Sequence, residues 1–146
     1  MDLSRVGIYG ASWGGYMTTR AMFTSPDVYR VGIASCPPSD LRGLAWIAIE
    51  PYMGLPDENP AGYDYSSNLQ FAGQLQGKLL IVQGTSDANA PFSQSMKLVQ
   101  ALVNANKHFD LLVFPEQPHM YTGHAVEYWM DTSKRYFVEN LLPKPH

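Results

Sequence analysis

Four short runs of continuous apolar character constrain this chain more than any other feature. They are Arg5–Tyr9 (RVGIY), Val31–Ser35 (VGIAS), Leu79–Gln83 (LLIVQ) and Asp110–Phe114 (DLLVF). Each is apolar through its centre instead of alternating, the pattern of a parallel strand covered on both faces. Parallel neighbours need long crossovers, usually helical. The intervals supply them. Gly14–Phe23 follows the first run, and Phe92–Asn104 carries Met96, Leu98, Val99, Leu102 and Val103 at helical spacing. Ala125–Leu141 offers Val126, Trp129, Met130, Tyr136, Phe137 and Leu141 as core contacts, while Pro37–Gly77 is rich in Pro, Gly and Tyr and reads as loops with short helices. The expected architecture is α/β, about four parallel strands flanked by helices and joined by right-handed crossovers. Residues 1–146 contain no repeat, low-complexity tract or linker and read as one unit.

Composition narrows the function. Lys plus Arg number 10 and Asp plus Glu 13, so the net charge is -3. That sign argues against a nucleic-acid or anionic-membrane partner. Charged residues make up 16% of the chain, against a usual share of about 25%. Such a deficit points to surface covered by other protein, in a homo-oligomer or a larger parent. The single cysteine, Cys36, excludes an internal disulfide and a cysteine zinc cluster. It reads as a buried strand-end thiol. No apolar run reaches membrane-spanning length and the first residues are not a secretion signal, so the default compartment is cytoplasmic.

Gly10-Ala11-Ser12-Trp13-Gly14 fits G-x-S-x-G and lies directly between the first apolar run and a helical segment. A sharp strand-to-helix turn there would strain the central residue, bring its second neighbours on either side together, and lift Ser12 above the carboxyl end of the sheet. The backbone N–H of Trp13 would face the same space as an oxyanion donor. Gly15 would let the helix pack close. The plainer reading is a glycine-rich turn with a helix-capping serine. A nucleophilic serine needs a base and an orienting acid, in the chain order Ser, Asp or Glu, His. Asp87 follows LLIVQ and His119 follows DLLVF, both where α/β sheets place their sites. Taken singly, such an Asp is a turn former and such a His is structural. Three residues in that order, each after its own strand, favour catalysis.

With these motifs in place the chain resembles the catalytic domain of the prolyl oligopeptidase family of serine peptidases, in its dipeptidyl peptidase IV and acylaminoacyl-peptidase branches. RVGIYGASWGGYM, YRVGIASCPPSDLR, PYMGLPDENPAGYDYSSNL, KLLIVQGTSDANAPFSQSMKLVQAL and FDLLVFPEQPHMY carry the resemblance over nearly the whole chain. It implies a truncated α/β-hydrolase fold and an acyl-enzyme mechanism on peptide or small ester substrates, without cofactor or metal. Ser12 is then the nucleophile, Asp87 orients the imidazole and His119 is the general base. Phe137, on the last helix, stands at the family interval after His119, which ranks His124 second. A metal site on His119 and His124 is disfavoured, because residues five apart do not share a helix face. Asn89 matches an asparagine that contacts the substrate carbonyl. Trp13, Leu44, Trp46, Ala48 and Ala90 would line a roomy apolar pocket.

The departures carry information. Gln83 stands where the family often has His, Ala90 where it has Val, and Met120 where it has Gly. Leu44 and Ala48 replace the two tyrosines that shape a proline pocket, so strict proline preference is not expected. Elements that precede the nucleophile strand in the family, with its second oxyanion donor, have no counterpart in these residues. Self-association or assembly with a missing N-terminal half is therefore expected, through the first strand or an apolar face. The leading reading is a serine hydrolase. The others are a weak or inactive fragment acting as assembly partner, and a small-molecule carrier built on Pro37–Tyr65. His108 and His146 read as solvated. Tyr52, Tyr63 and Tyr65 read as loop packing.

Overall fold

A computed structural model describes residues 2, 4–44 and 46–142, with Trp46 described by its backbone alone. The strands are β1 (Val6–Ala11), β2 (Tyr29–Ser35), β3 (Lys78–Gly84) and β4 (Asp110–Phe114). They form one parallel sheet in the order β1-β2-β3-β4, so spatial and sequence order coincide. The helices are α1 (Trp13–Thr24), α2 (Trp46–Met53), α3 (Pro60–Ser66), α4 (Phe92–Asn104) and α5 (His124–Leu141). This is the expected α/β arrangement. Pro37–Gly77 carries α2, α3 and 3-10 turns at Leu41–Gly43 and Asn68–Gln74.

Period-two alternation divides the sheet between two cores. Ala34, Leu79 and Ile81 face α1 and α4, where Met22, Phe23, Leu98 and Leu102 are fully buried. Ile33, Leu80 and Val82 face the other way, against Trp129, Tyr136 and Phe137 of α5. Covering on both faces holds for β2 and β3. β1 and β4 are half exposed, because among the described residues each has a neighbour on one side only. Two apolar stripes are narrower than expected. Val103 is 56% and Met130 61% exposed, and no α5 residue is fully buried. Helical spacing identifies the stripe but not its margins. Among the described residues no helix is long and apolar enough to cross a membrane.

Buried polar residues fasten the Pro37–Gly77 excursion to the sheet. The Gln94 Oε1 atom accepts from Ser39 N at 2.9 Å and Asp40 N at 3.0 Å, and Ser39 Oγ donates to Gln94 O at 2.7 Å. Asn68 Nδ2 donates to Tyr16 O at 2.9 Å and Thr19 Oγ1 at 2.8 Å, and Tyr16 Oη donates to Ser66 O at 2.7 Å. Buried polar groups held this way fix geometry, although Gln94 Nε2 is buried without a hydrogen-bond partner. A third core cluster of Leu41, Ile49 and Tyr63, with Tyr16, Leu44 and Met53 around it, fills the excursion. Tyr63 thus packs as expected, whereas Tyr52 is 87% and Tyr65 73% exposed.

Candidate active site

Ser12 stands between β1 and α1 at φ 57°, ψ -120°, a conformation L residues rarely adopt. Its N–H donates to Ser35 O of β2 at 2.9 Å. Gly10 makes the turn possible, since a Cβ on it would overlap the Gly14 carbonyl. The crowding is one-sided: a Cβ on Gly14 meets nothing within 4 Å. Steric need therefore applies to Gly10 and not, as expected from the motif, to both. A Cβ on Gly15 would lie 2.6 Å from Ser35 O, so α1 packs directly on the end of β2. Trp13 opens α1, and its N–H belongs to the first turn, which has no intrahelical acceptors.

Asp87 follows β3 and is 6% exposed. Its Oδ1 accepts from Asn89 N and Ala90 N, both at 2.9 Å, and its Oδ2 accepts from Gln83 Nε2 at 3.0 Å. His119 completes the arrangement from the loop after β4. Its Nδ1 lies 2.8 Å from Asp87 Oδ2 and its Nε2 lies 2.9 Å from Ser12 Oγ. An ionised carboxylate can only accept. Nδ1 therefore carries the proton, and Nε2 presents its lone pair to the serine hydroxyl.

The acid and base loops are stitched together. Thr85 N donates to Phe114 O at 3.0 Å, Ser86 N to Gln117 O at 3.1 Å, and Glu116 N to Thr85 Oγ1 at 2.8 Å. Behind His119, the Cys36 thiol lies 3.7 Å from the His119 carbonyl, and the Tyr121 and Ser35 hydroxyls are 2.8 Å apart. Burial pushes the Cys36 thiol up to about 11, so it is a neutral packing group at ordinary pH. Burial likewise raises Tyr121. Among the described residues, Cys36, Asp87 and His119 hold potential metal-ligand atoms within 4.8 Å of one another, two of them already bonded together. His124 is on the surface beside Glu127, 3.1 Å from its carboxylate, and does not approach Ser12.

A cavity of about 280 Å³ opens beside Ser12 and His119. Trp13, Leu44, Ala48, Asn89 and Ala90 all border it; the Trp46 side chain lies outside the described residues. Its walls carry no formal charge apart from any on His119. Pro38 and Ala88 also border it, and neither type announces a binding role. Gln83 is the main omission: it entered only as a departure from His, yet it is fully buried and donates to the acid. A polar residue closing an apolar strand was the available signal. A larger cavity of about 670 Å³ lies at the opposite end of the sheet, by Arg30, Lys78, Lys107 and His108. It borders no serine or cysteine.

Comparison with known proteins bears on the family and the fold. The profile of the prolyl oligopeptidase family matches residues 1–144. The chain is 36% identical to dipeptidyl peptidase 8 of Homo sapiens over 127 residues, covering 82% of this chain and 14% of that protein. It is 28% identical to "Inactive dipeptidyl peptidase 10" of Rattus norvegicus, covering 97% and 18%. The crystal structure of Porphyromonas gingivalis dipeptidyl peptidase 4 superposes with a TM-score of 0.94 at 36% identity, over 97% of this chain and 20% of that one. The chain thus spans less than a fifth of the length of these curated relatives. With an α/β-hydrolase sheet, a strained serine elbow and matches of this extent, the chain belongs to the prolyl oligopeptidase family.

Proposed function

We propose that the chain carries the hydrolytic centre of a serine peptidase and cleaves peptide or small ester substrates through an acyl-enzyme. The observation that carries this reading is the continuous run of hydrogen bonds from Ser12 Oγ through His119 to Asp87 Oδ2. In the reaction, Ser12 Oγ attacks the acyl carbon while His119 Nε2 takes its proton. The imidazolium is held by Asp87 and then protonates the leaving group. Water, deprotonated by the same nitrogen, releases the acid. The Trp13 N–H stabilises the oxyanion, and the Asn89 side chain binds the neighbouring substrate carbonyl. The uncharged cavity between Trp13, Leu44, Ala48 and Ala90 receives an apolar group, without selection for proline. Activated esters are the substrates of choice for the chain alone.

The test is intact mass after treatment with a fluorophosphonate probe. A single adduct is expected on the wild type and none on Ser12→Ala. His119→Ala should lower p-nitrophenyl butyrate turnover by a factor on the order of 10⁴–10⁶, and His124→Ala should leave it unchanged. An adduct on Ser12→Ala refutes the assignment.

A second reading makes the chain chiefly an assembly partner, with its hydrolytic centre weak or silent. The outer edge of β1 favours it, together with an apolar groove of about 290 Å³ between Tyr9, Trp129, Met130 and Phe137. Within that region Trp129 Nε1 and Ser133 Oγ are buried without a hydrogen-bond partner. Under this reading the folded chain takes no probe and self-associates. A dilute monomer by light scattering overturns the self-association.

A further inference from the structure

Two of the residues that line the cavity beside Ser12 also line a neighbouring one. Trp13 and Ala48 also border a second cavity of about 330 Å³, whose other walls include Leu41, Ile49, Tyr52 and Met53. These two residues are the walls that the two spaces share. The second cavity has no formally charged lining residue. Leu41 and Ile49 belong to a packed core cluster, so this wall is anchored, while Tyr52 is 87% exposed at the rim. The first cavity alone is small for a ligand site, which usually measures about 300–1,000 Å³, and the pair together falls well inside that range.

We propose that the two cavities form one acyl-group site, and that the favoured substrates carry a long or bulky uncharged apolar group on the acyl side of the scissile bond. The reacting carbonyl sits at Ser12, the first part of the group fills the near cavity, and the remainder passes between Trp13 and Ala48. Ala48 is the specificity-determining residue, because an aromatic side chain there would occupy the far cavity. A charged group would enter both spaces without a counter-charge and is excluded. This inference rests on Ser12 being the nucleophile.

The experiment is a series of p-nitrophenyl esters from acetate to decanoate, with fluorophosphonate labelling of the same preparations. Each methylene buried from water is worth about a fourfold gain in kcat/KM. The wild type should gain at about that rate from acetate past butyrate to about octanoate. In Ala48→Tyr the gain should end near butyrate, and Met53→Trp, which fills the far cavity from another wall, should truncate the series in the same way should Ala48→Tyr not fold. A wild-type series that is flat beyond butyrate, on protein that labels fully, overturns the two-cavity site and leaves the nucleophile assignment standing. A variant that folds and keeps the wild-type slope does the same. A wild type that does not label overturns both.

Discussion

Gln83 is the residue whose replacement should separate holding the acid from merely filling space. It is fully buried at the end of β3. Its Nε2 donates to Asp87 Oδ2 at 3.0 Å, with Ala90 O at 3.1 Å and Gly84 O at 3.2 Å, and its Oε1 accepts from Ser95 Oγ at 2.8 Å. Gln83→Met keeps length and approximate volume and removes every one of these. The bond to the charged carboxylate is worth about 1.5–3 kcal/mol and each of the three neutral ones about 1 kcal/mol, so urea unfolding should show a loss of about 4.5–6 kcal/mol. Asp87 also accepts from Asn89 N, Ala90 N and His119, so it stays in the loop but loses the donor on the oxygen that faces the imidazole. Without that donor the carboxylate holds His119 less firmly in line with Ser12. We expect kcat for p-nitrophenyl butyrate to fall about 10- to 100-fold, a barrier of about 1.4–2.7 kcal/mol, with KM within about threefold. Gln83→His restores a donor and should recover most of kcat. A folded Gln83→Met protein with wild-type kcat refutes the reasoning, as does a Gln83→His protein no better than Gln83→Met.

The elbow yields a paired test. Gly10→Ala forces a methyl group into the Gly14 carbonyl and should abolish both folding stability and labelling, whereas Gly14→Ala has open space and should change stability by no more than about 1 kcal/mol by urea titration. Cys36 supplies a pH test. Its folded-state value is raised from 9.0 to about 11, so between these pH values the unfolded chain has lost a proton that the folded chain keeps. Stability is therefore complete below pH 9 and falls as pH rises towards 11. Tyr9, Tyr16 and Tyr121 are raised also and add to the fall above pH 10. In thermal melts, Cys36→Ala should lose stability less steeply between pH 9 and 11 than the wild type, and an identical slope contradicts the assignment.

The sheet was legible because parallel strands write themselves as compact apolar runs, and α4 begins and ends where its sequence does, after Pro91 and before Asn106 at φ 54°. β1 runs further than its apolar letters, since Gly10 and Ala11 still pair with Ala34 and Ser35. Ser12, Asp87 and His119 were legible as a set because each lies just past the carboxyl end of its own strand. The interval to Phe137 already favoured His119 over His124, and the loop path gives the physical reason, putting one ring 2.8 Å from the acid and the other in solvent. Gln83 was not legible as a donor because its partners are set by how the loop after β3 folds back on it. The far cavity was not legible either: it exists only through the way α2 lies against Trp13, a tertiary relation that no local pattern encodes.

The coincidence of spatial and sequence order in the sheet has a consequence in time. Ser12 and His119 are 107 residues apart, and every strand lies beside the one made just before it. A chain emerging from the ribosome can pair β1 with β2 early, because domains form from the amino-terminal side as they are synthesised. The strained serine is then in place well before its base exists. Under the proposed function, the three side chains come together only when β4 has docked and its loop has closed on Asp87. The order of the strands would then keep the nascent chain silent until its last strand is in place. In refolding, the return of probe labelling should report the last step of assembly and not the first.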